Sequence, residues 1–551
     1  MRLLLYLLLL PTVTSFAQTD SVIVSGQVRR LSARLYRESP SVIITRTNTL
    51  RGATELAFPA PFLPDGRFRV AVPIIYPQEE MQVIVGNVSA AFLASAGTLT
   101  INADADSLAV AAVPFQFGGV NAQVNQQFAQ YKAFENKTKP DDDSRKKAVK
   151  RALNGTLDET YSTLYQAFAA PMEQFATSQT VFPLVRDWVL TNARNDAAAY
   201  VFDKATQEGL TVLTTLYKTI STGTDALLTA SRATALSRFG PYTSMRIAQN
   251  TPSGGRGIRV GTLARLLEQY GTNLTNDDRR KLATFRETNI ARSADLRYLS
   301  RLLEQNADTM TRLVAYENAI QTARPLFDSA AIDYIKGYAL ASVVPDMTLD
   351  LVALFGKHIY PQIGDPYLKR SFDEVRTLAL RDTALTRQAW ANYLTQEKKP
   401  GINSGFVSDG IYVTTGTNRT GNEVVKKAID QNRGRVIYVV LWSPDNEAGR
   451  QLARESQRLR DVFSPNDLTI LYVSPNDANE RLWLESVVCN RLKGDHIRLT
   501  ESQTYSVGAT LGLDGQSPVR LFTTQGKLNR KEAPLPDKFD QLVEQIQAFL
   551  R

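Results

Sequence analysis

Arg435-Val436-Ile437-Tyr438-Val439-Val440-Leu441-Trp442 is the stretch on which the fold turns. Its unbroken apolar run, Val436 to Leu441, is far too short to span a membrane. It also lacks the polar alternation of a half-exposed strand, so it predicts a strand covered on both faces of a sheet. Working outward, Trp442 to Gly449 is polar and reads as a loop, and Arg450 to Phe463 is amphipathic through Leu452, Leu459, Val462 and Phe463. Leu468-Thr469-Ile470-Leu471-Tyr472-Val473 is a second buried strand, followed by a helical stretch near Asn479–Leu492. Val519-Arg520-Leu521-Phe522-Thr523 then turns at Gln525-Gly526 into Lys527–Arg530. The last helix is apolar at Phe539, Leu542, Val543, Ile546, Phe549 and Leu550, with Asp537 placed to cap it.

This order of elements, a βαβα run followed by a β-hairpin and a helix, is the thioredoxin-like topology. The strand ending at Trp442 resembles that of the TlpA/ResA-type envelope thioredoxins, which enters their Trp-Cys-x-x-Cys loop. Asn479-Glu480-Arg481-Leu482-Trp483 and Leu492-Lys493-Gly494-Asp495-His496 resemble the family's next helix and the segment after it, and Ser517-Pro518 matches the position of its cis-proline. The resemblance covers about 423–551. It implies thiol-disulfide oxidoreductase ancestry and a cis-proline loop that pairs its backbone with an extended peptide. The alternative for Pro518 is an ordinary trans proline opening a strand.

The pattern breaks where the chemistry belongs. Aligning on Trp442 puts Asn446 and Gly449 at the two cysteine positions, and shifting by three puts Ser443 and Asn446 there; neither register holds a thiol. Exchange needs one thiolate to attack and a second thiol to resolve the mixed disulfide. Ser443 has no neighbouring histidine to activate it, and Asp445 and Glu447 make the loop acidic. The expectation is a degenerate redox site: Trp442, Ser443, Pro444, Asp445, Asn446, Gly449, Ser517 and Pro518 in a binding role, with no catalytic residues. Cys489, seven residues after Leu482, reads as a buried inert thiol, with a lone reactive thiol as the sharper alternative. His496 reads as a surface or strand-edge residue, and His358 shows no partner.

Upstream, residues 18–120 carry short alternating strands such as Ser21–Val28 and Phe68, Val70 and Val72 after the turn Pro64-Asp65-Gly66, which predicts a β-sandwich-like domain. Pro64–Phe68 and Phe117-Gly118-Gly119-Val120-Asn121-Ala122 look like the domain that precedes thioredoxin modules in many exported relatives. Residues 121–400 show 3–4 residue apolar periods, as in Leu263, Leu266, Leu267 and Tyr270, and predict an all-α middle region. The Gly254–Gly257 loop lacks a phosphate-loop ending and reads as a flexible connection. Residues 401–422 read as a linker or short hairpin, and 423–551 as the α/β domain.

Composition narrows function further. Of 551 residues, one is Cys and two are His, so a Cys pair, a four-thiolate site and a three-His zinc site are excluded. Arg2, the run Leu3–Leu10 and Ser15-Phe16-Ala17 read as a signal peptide over 1–17, and no later run is long enough to span a membrane. The net charge of +9 is dispersed; Arg145–Arg151 directly follows Asp141–Asp143, which argues for a solvated helix start and against nucleic acid. The sequence thus predicts an exported multidomain protein of the periplasm or envelope that needs no cofactor or metal. Its expected partner is an extended peptide or envelope protein. The rivals are a redox enzyme using Cys489 or a partner thiol, and glycan binding by the N-terminal domain.

Overall fold

The computed structural model describes residues 21–138, 142–221, 228–250, 257–344, 349–397, 401–416, 419–444, 447–474, 480–507, 511, 517–529 and 533–550. They fall into two compact units, one of residues up to Arg376 apart from Arg37–Ser39, the other of Arg37–Ser39 with the residues from Thr377 on. The signal-peptide reading (1–17) and most of the Gly254–Gly257 loop lie outside the described residues.

The first unit begins with eight strands: β1 Ser21–Arg29, β2 Ser41–Asn48, β3 Arg51–Pro61, β4 Arg67–Pro73, β5 Glu79–Val85, β6 Val88–Ala94, β7 Gly97–Asp104 and β8 Phe115–Gly119. They form two four-stranded sheets, ordered β4-β1-β7-β8 and β3-β2-β5-β6. Alternate residues of both sheets, including Val22, Val24, Phe68 and Val72 from one and Val42, Ile44, Val83 and Phe92 from the other, share one core. That is the period-2 burial expected of strands with one dry face. Gly66, at φ 77°, closes the turn into β4, where a Cβ would strike the carbonyl of Val28.

Helices follow from Ala122–Thr138 through Leu349–Ile359, and the basic cluster after Asp142 lies on the helix Asp142–Ala152. Local rules place their ends. Thr156 and Glu159 form a capping box, as do Thr275 and Asp278, so each pair satisfies two backbone N–H groups at the helix start. Pro183 opens the helix Pro183–Glu208, and Gly209 closes it in the left-handed region at φ 72°. This helix joins Phe128, Tyr131, Met172 and Phe175 in a cluster with Leu93 of β6. Asn125 fixes the register: its Oδ1 accepts from Leu93 N at 2.7 Å and its Nδ2 donates to Leu93 O at 3.1 Å.

The second unit contains the last part of the helix Pro366–Glu397, and six strands: β9 Ile402–Ser408, β10 Ile411–Gly416, β11 Val436–Leu441, β12 Leu468–Ser474, β13 Gly494–Arg498 and β14 Val519–Phe522. The sheet order is β14-β11-β12-β13-β10-β9. The four inner strands are mutually parallel, while β14 and β9 run antiparallel at the edges. The stretch read as a linker or short hairpin is the β9–β10 hairpin, and it is paired into this sheet. β11 and β12 are buried along their length because helices cover both faces. Val436, Tyr438 and Val440 pack with Ala453, Trp483 and Leu542 on one side; Ile437 and Val439 pack with Val424, Val425 and Ile429 on the other. The last helix starts at Phe539, so Lys538, and not Asp537, directly precedes it.

Candidate functional site

The strand β11 delivers Trp442 into the core, where it is 3% exposed, and its backbone N–H donates to Val473 O at 3.1 Å. Ser443 is half-buried and Pro444 buried; Asp445 and Asn446 lie outside the described residues. The helix Glu447–Ser456 follows at once, and Arg450 Nη1 donates to the carbonyl of Pro444, tying the loop to its own helix. Gly449 is buried in the angle between them. A Cβ at Gly449 would meet Ser443 N at 3.0 Å and Ser443 O at 3.1 Å, tighter than side chains ordinarily accept. The Ser443 backbone sits against this position of the first cysteine register. A thiol there requires the backbone to give way.

Ser517 and Pro518 lie beside the end of β11. Val440 pairs with Val519, and Leu441 N donates to Pro518 O at 2.8 Å. The expected cis bond is not formed: among the described residues every peptide bond is trans. Pro518 opens β14, a position that needs no N–H from it, so trans geometry satisfies the pairing. The backbone groups expected to hold a peptide are also engaged. Arg520 Nη1 donates to Ser517 O at 2.7 Å, and Pro518 O is taken by Leu441. Two carbonyls at this loop are therefore already engaged within the protein.

Both histidine readings and the cysteine reading change. His496 is 0% exposed on the inner strand β13, stacked on Tyr472 with ring centroids 4.7 Å apart. Its Nε2 contacts Leu492 O at 2.7 Å, Nδ1 has no partner, and burial pushes its pKa down to about 4. A neutral ring donating through Nε2 fits all three facts. His358 does have partners: Nε2 lies 2.9 Å from Glu317 Oε1 and Nδ1 3.0 Å from Tyr270 Oη. Tyr270 and Tyr316 both meet the His358 ring edge to face.

Cys489 is exposed, not buried, at the C-terminus of the helix Glu480–Cys489, its Sγ 3.6 Å from Thr386 Oγ1. The buried stripe of that helix is Trp483, Leu484, Val487 and Val488. At about 100° per residue these span an arc that Cys489 falls outside.

No family model and no curated relative matches the chain. A Bacteroides vulgatus protein provisionally named a thiol-disulfide oxidoreductase, solved in solution, is 20% identical with a TM-score of 0.20 over 22% of this chain and 78% of its own. The crystal structure of the thioredoxin domain of a thiol-disulfide oxidoreductase, also from Bacteroides vulgatus, is 17% identical with a TM-score of 0.21, over 28% of this chain and 98% of its own.

Proposed function

We propose that the second unit is a thioredoxin-like domain that has given up dithiol chemistry and serves an exported protein as a binding module for an envelope peptide or protein. The observation that carries this is the packing of Gly449 against the backbone of Ser443, at a position where redox relatives need a thiol. The parallel run of β11 and β12, the loop leaving β11 into a helix, and Pro518 beside that loop support the thioredoxin-like reading. With the carbonyls of Ser517 and Pro518 engaged internally, recognition falls to the loop 443–449 and the Ser517 side chain. Among the described residues no helix is long and apolar enough to cross a membrane.

The experiment is twofold. In a dithiothreitol-driven insulin reduction assay the full chain is expected to leave the rate at the no-protein level. Fluorescence anisotropy with labelled, cysteine-free decapeptides is expected to detect binding that Ser443→Trp weakens at least tenfold. Insulin turnover, or binding indifferent to Ser443→Trp, overturns the reading.

The exposure of Cys489 favours one second reading. Its thiolate can attack a partner's disulfide, forming one mixed disulfide and releasing the partner's other sulfur as a thiolate, with resolution by an external thiol. Insulin turnover lost in Cys489→Ser identifies that chemistry. The glycan alternative is not favoured: among the described residues of the N-terminal sheets and their connections, Tyr36 is the one exposed aromatic.

A further inference from the structure

Within the first unit, a cavity of about 580 Å³ opens between β2 and β5 on one side and the helices Ala122–Thr138, Asp142–Ala152, Leu157–Ser178 and Pro183–Glu208 on the other. That volume is in the range of sites for small organic ligands. No part of it belongs to the C-terminal loop, and the reading of that loop does not bear on it.

The walls have two kinds of surface. Met81, Leu164, Phe168 and Val189 form an apolar part. Lys132, Glu135, Arg145 and Asp196 supply charges of both signs in equal number. Lys132 Nζ lies 3.0 Å from Glu135 Oε2, and Arg145 sits over the Phe168 ring at 5.8 Å. Asp196 is pushed up by burial, against the pull of Ser231, Arg145 and Lys132. A ligand of large net charge of either sign finds no matching field here, whereas one carrying both signs does.

Behind these walls, Arg46 is 2% exposed; its terminal nitrogens are held by Glu374, and its Nε–H is buried with no acceptor. Asn192 Oδ1 is likewise buried with no donor. Neither atom has surface open to the cavity, so recognition rests on the charged and apolar walls: two charges of opposite sign held apart beside an apolar patch suit a chain with an ammonium at one end and a carboxylate at the other.

We infer that this cavity binds a short peptide with free amino and carboxyl termini and an apolar side chain. The ammonium faces Asp196 or Glu135, the carboxylate faces Arg145 or Lys132, and the side chain enters between Leu164, Phe168 and Val189.

The test uses the full chain and the tetrapeptide Ala-Ala-Leu-Ala, its N-acetylated and C-amidated form, and maltotetraose, each titrated by isothermal calorimetry. The free tetrapeptide is expected to bind one to one with submillimolar affinity, the blocked form at least tenfold more weakly, and maltotetraose not at all. Ala167 lies on the cavity wall and is exposed, so Ala167→Trp fills the space without burying the new ring in the core; it is expected to abolish binding, with an unchanged circular dichroism spectrum. Asp196→Asn is expected to weaken it at least fivefold, and Gln541→Ala, exposed on the last helix of the other unit, to leave it unchanged. Absence of binding, equal binding of the blocked peptide, preference for maltotetraose, or indifference to Ala167→Trp overturns the inference.

Discussion

The carbonyls beside β11 and the side chains beside the N-terminal cavity fare differently. Beside β11 the loop has folded in on itself: Arg450 takes the carbonyl of Pro444, Arg520 that of Ser517, and Leu441 that of Pro518. Between the N-terminal sheets and the helices, Arg46 and Asn192 are buried with hydrogen-bonding atoms unmatched beside an open volume. The difference teaches that a resemblance in sequence does not by itself locate a site. Carbonyls beside β11 are taken up by the protein's own donors, while the first unit keeps an open volume lined by charges of both signs.

The comparison holds only if the second unit owes its frame to a dry core. Trp483 is 0% exposed between the sheet and its helices, and Trp483→Ala is expected to cost about 3–5 kcal/mol in a urea titration of that unit. A loss under 1 kcal/mol breaks the picture of a packed frame. Acid probes the same core through His496. Its folded pKa of about 4 lies below the ~6.5 of an unfolded histidine, so between those values the unfolded chain binds a proton that the folded one does not. Stability is therefore expected to be unaffected above that window and to fall as pH drops through it, by a total on the order of 3 kcal/mol. His496→Phe should remove this slope, read from urea midpoints at pH 7 and 4.

Closure of the loop is sharpened by Gly449→Ala. The contacts at 3.0 and 3.1 Å predict a loss of about 1–3 kcal/mol, from the backbone shift that an added methyl forces. A neutral outcome would show that the loop retains room for a thiol. Smallest of all, Cys489→Ser is expected to move the midpoint by less than about 0.5 kcal/mol, because the side chain is exposed.

The parts of this fold that could be read directly were those whose chemistry is local. β11 and β12 are apolar on both faces and declare themselves, as do the alternating strands around Val24 and Val70. β13 was hidden because Gly-Asp-His-Ile-Arg is polar; its polar groups find distant partners, Asp495 in Asn432 and His496 in the Leu492 carbonyl. Cys489 was misplaced by counting from Leu482 when the buried stripe runs through Trp483 and Val487. The partners of His358 are 41 and 88 residues away, and the cavity gathers residues from Thr45 to Ser231, so no window along the chain contains either. The place of Pro518 was readable, but its isomer was not, since a trans bond satisfies the same strand pairing.

The grip of Asn125 on Leu93 has a consequence for the protein's life at high concentration. β6 ends its sheet, and such a border normally offers bare N–H and C=O groups to any stray strand. The Asn125 amide occupies the outward-facing pair at Leu93, standing in for the neighbour that would otherwise nucleate self-association. One carboxamide therefore takes a neighbouring strand's place at that position as well as fastening the sheet to the helix.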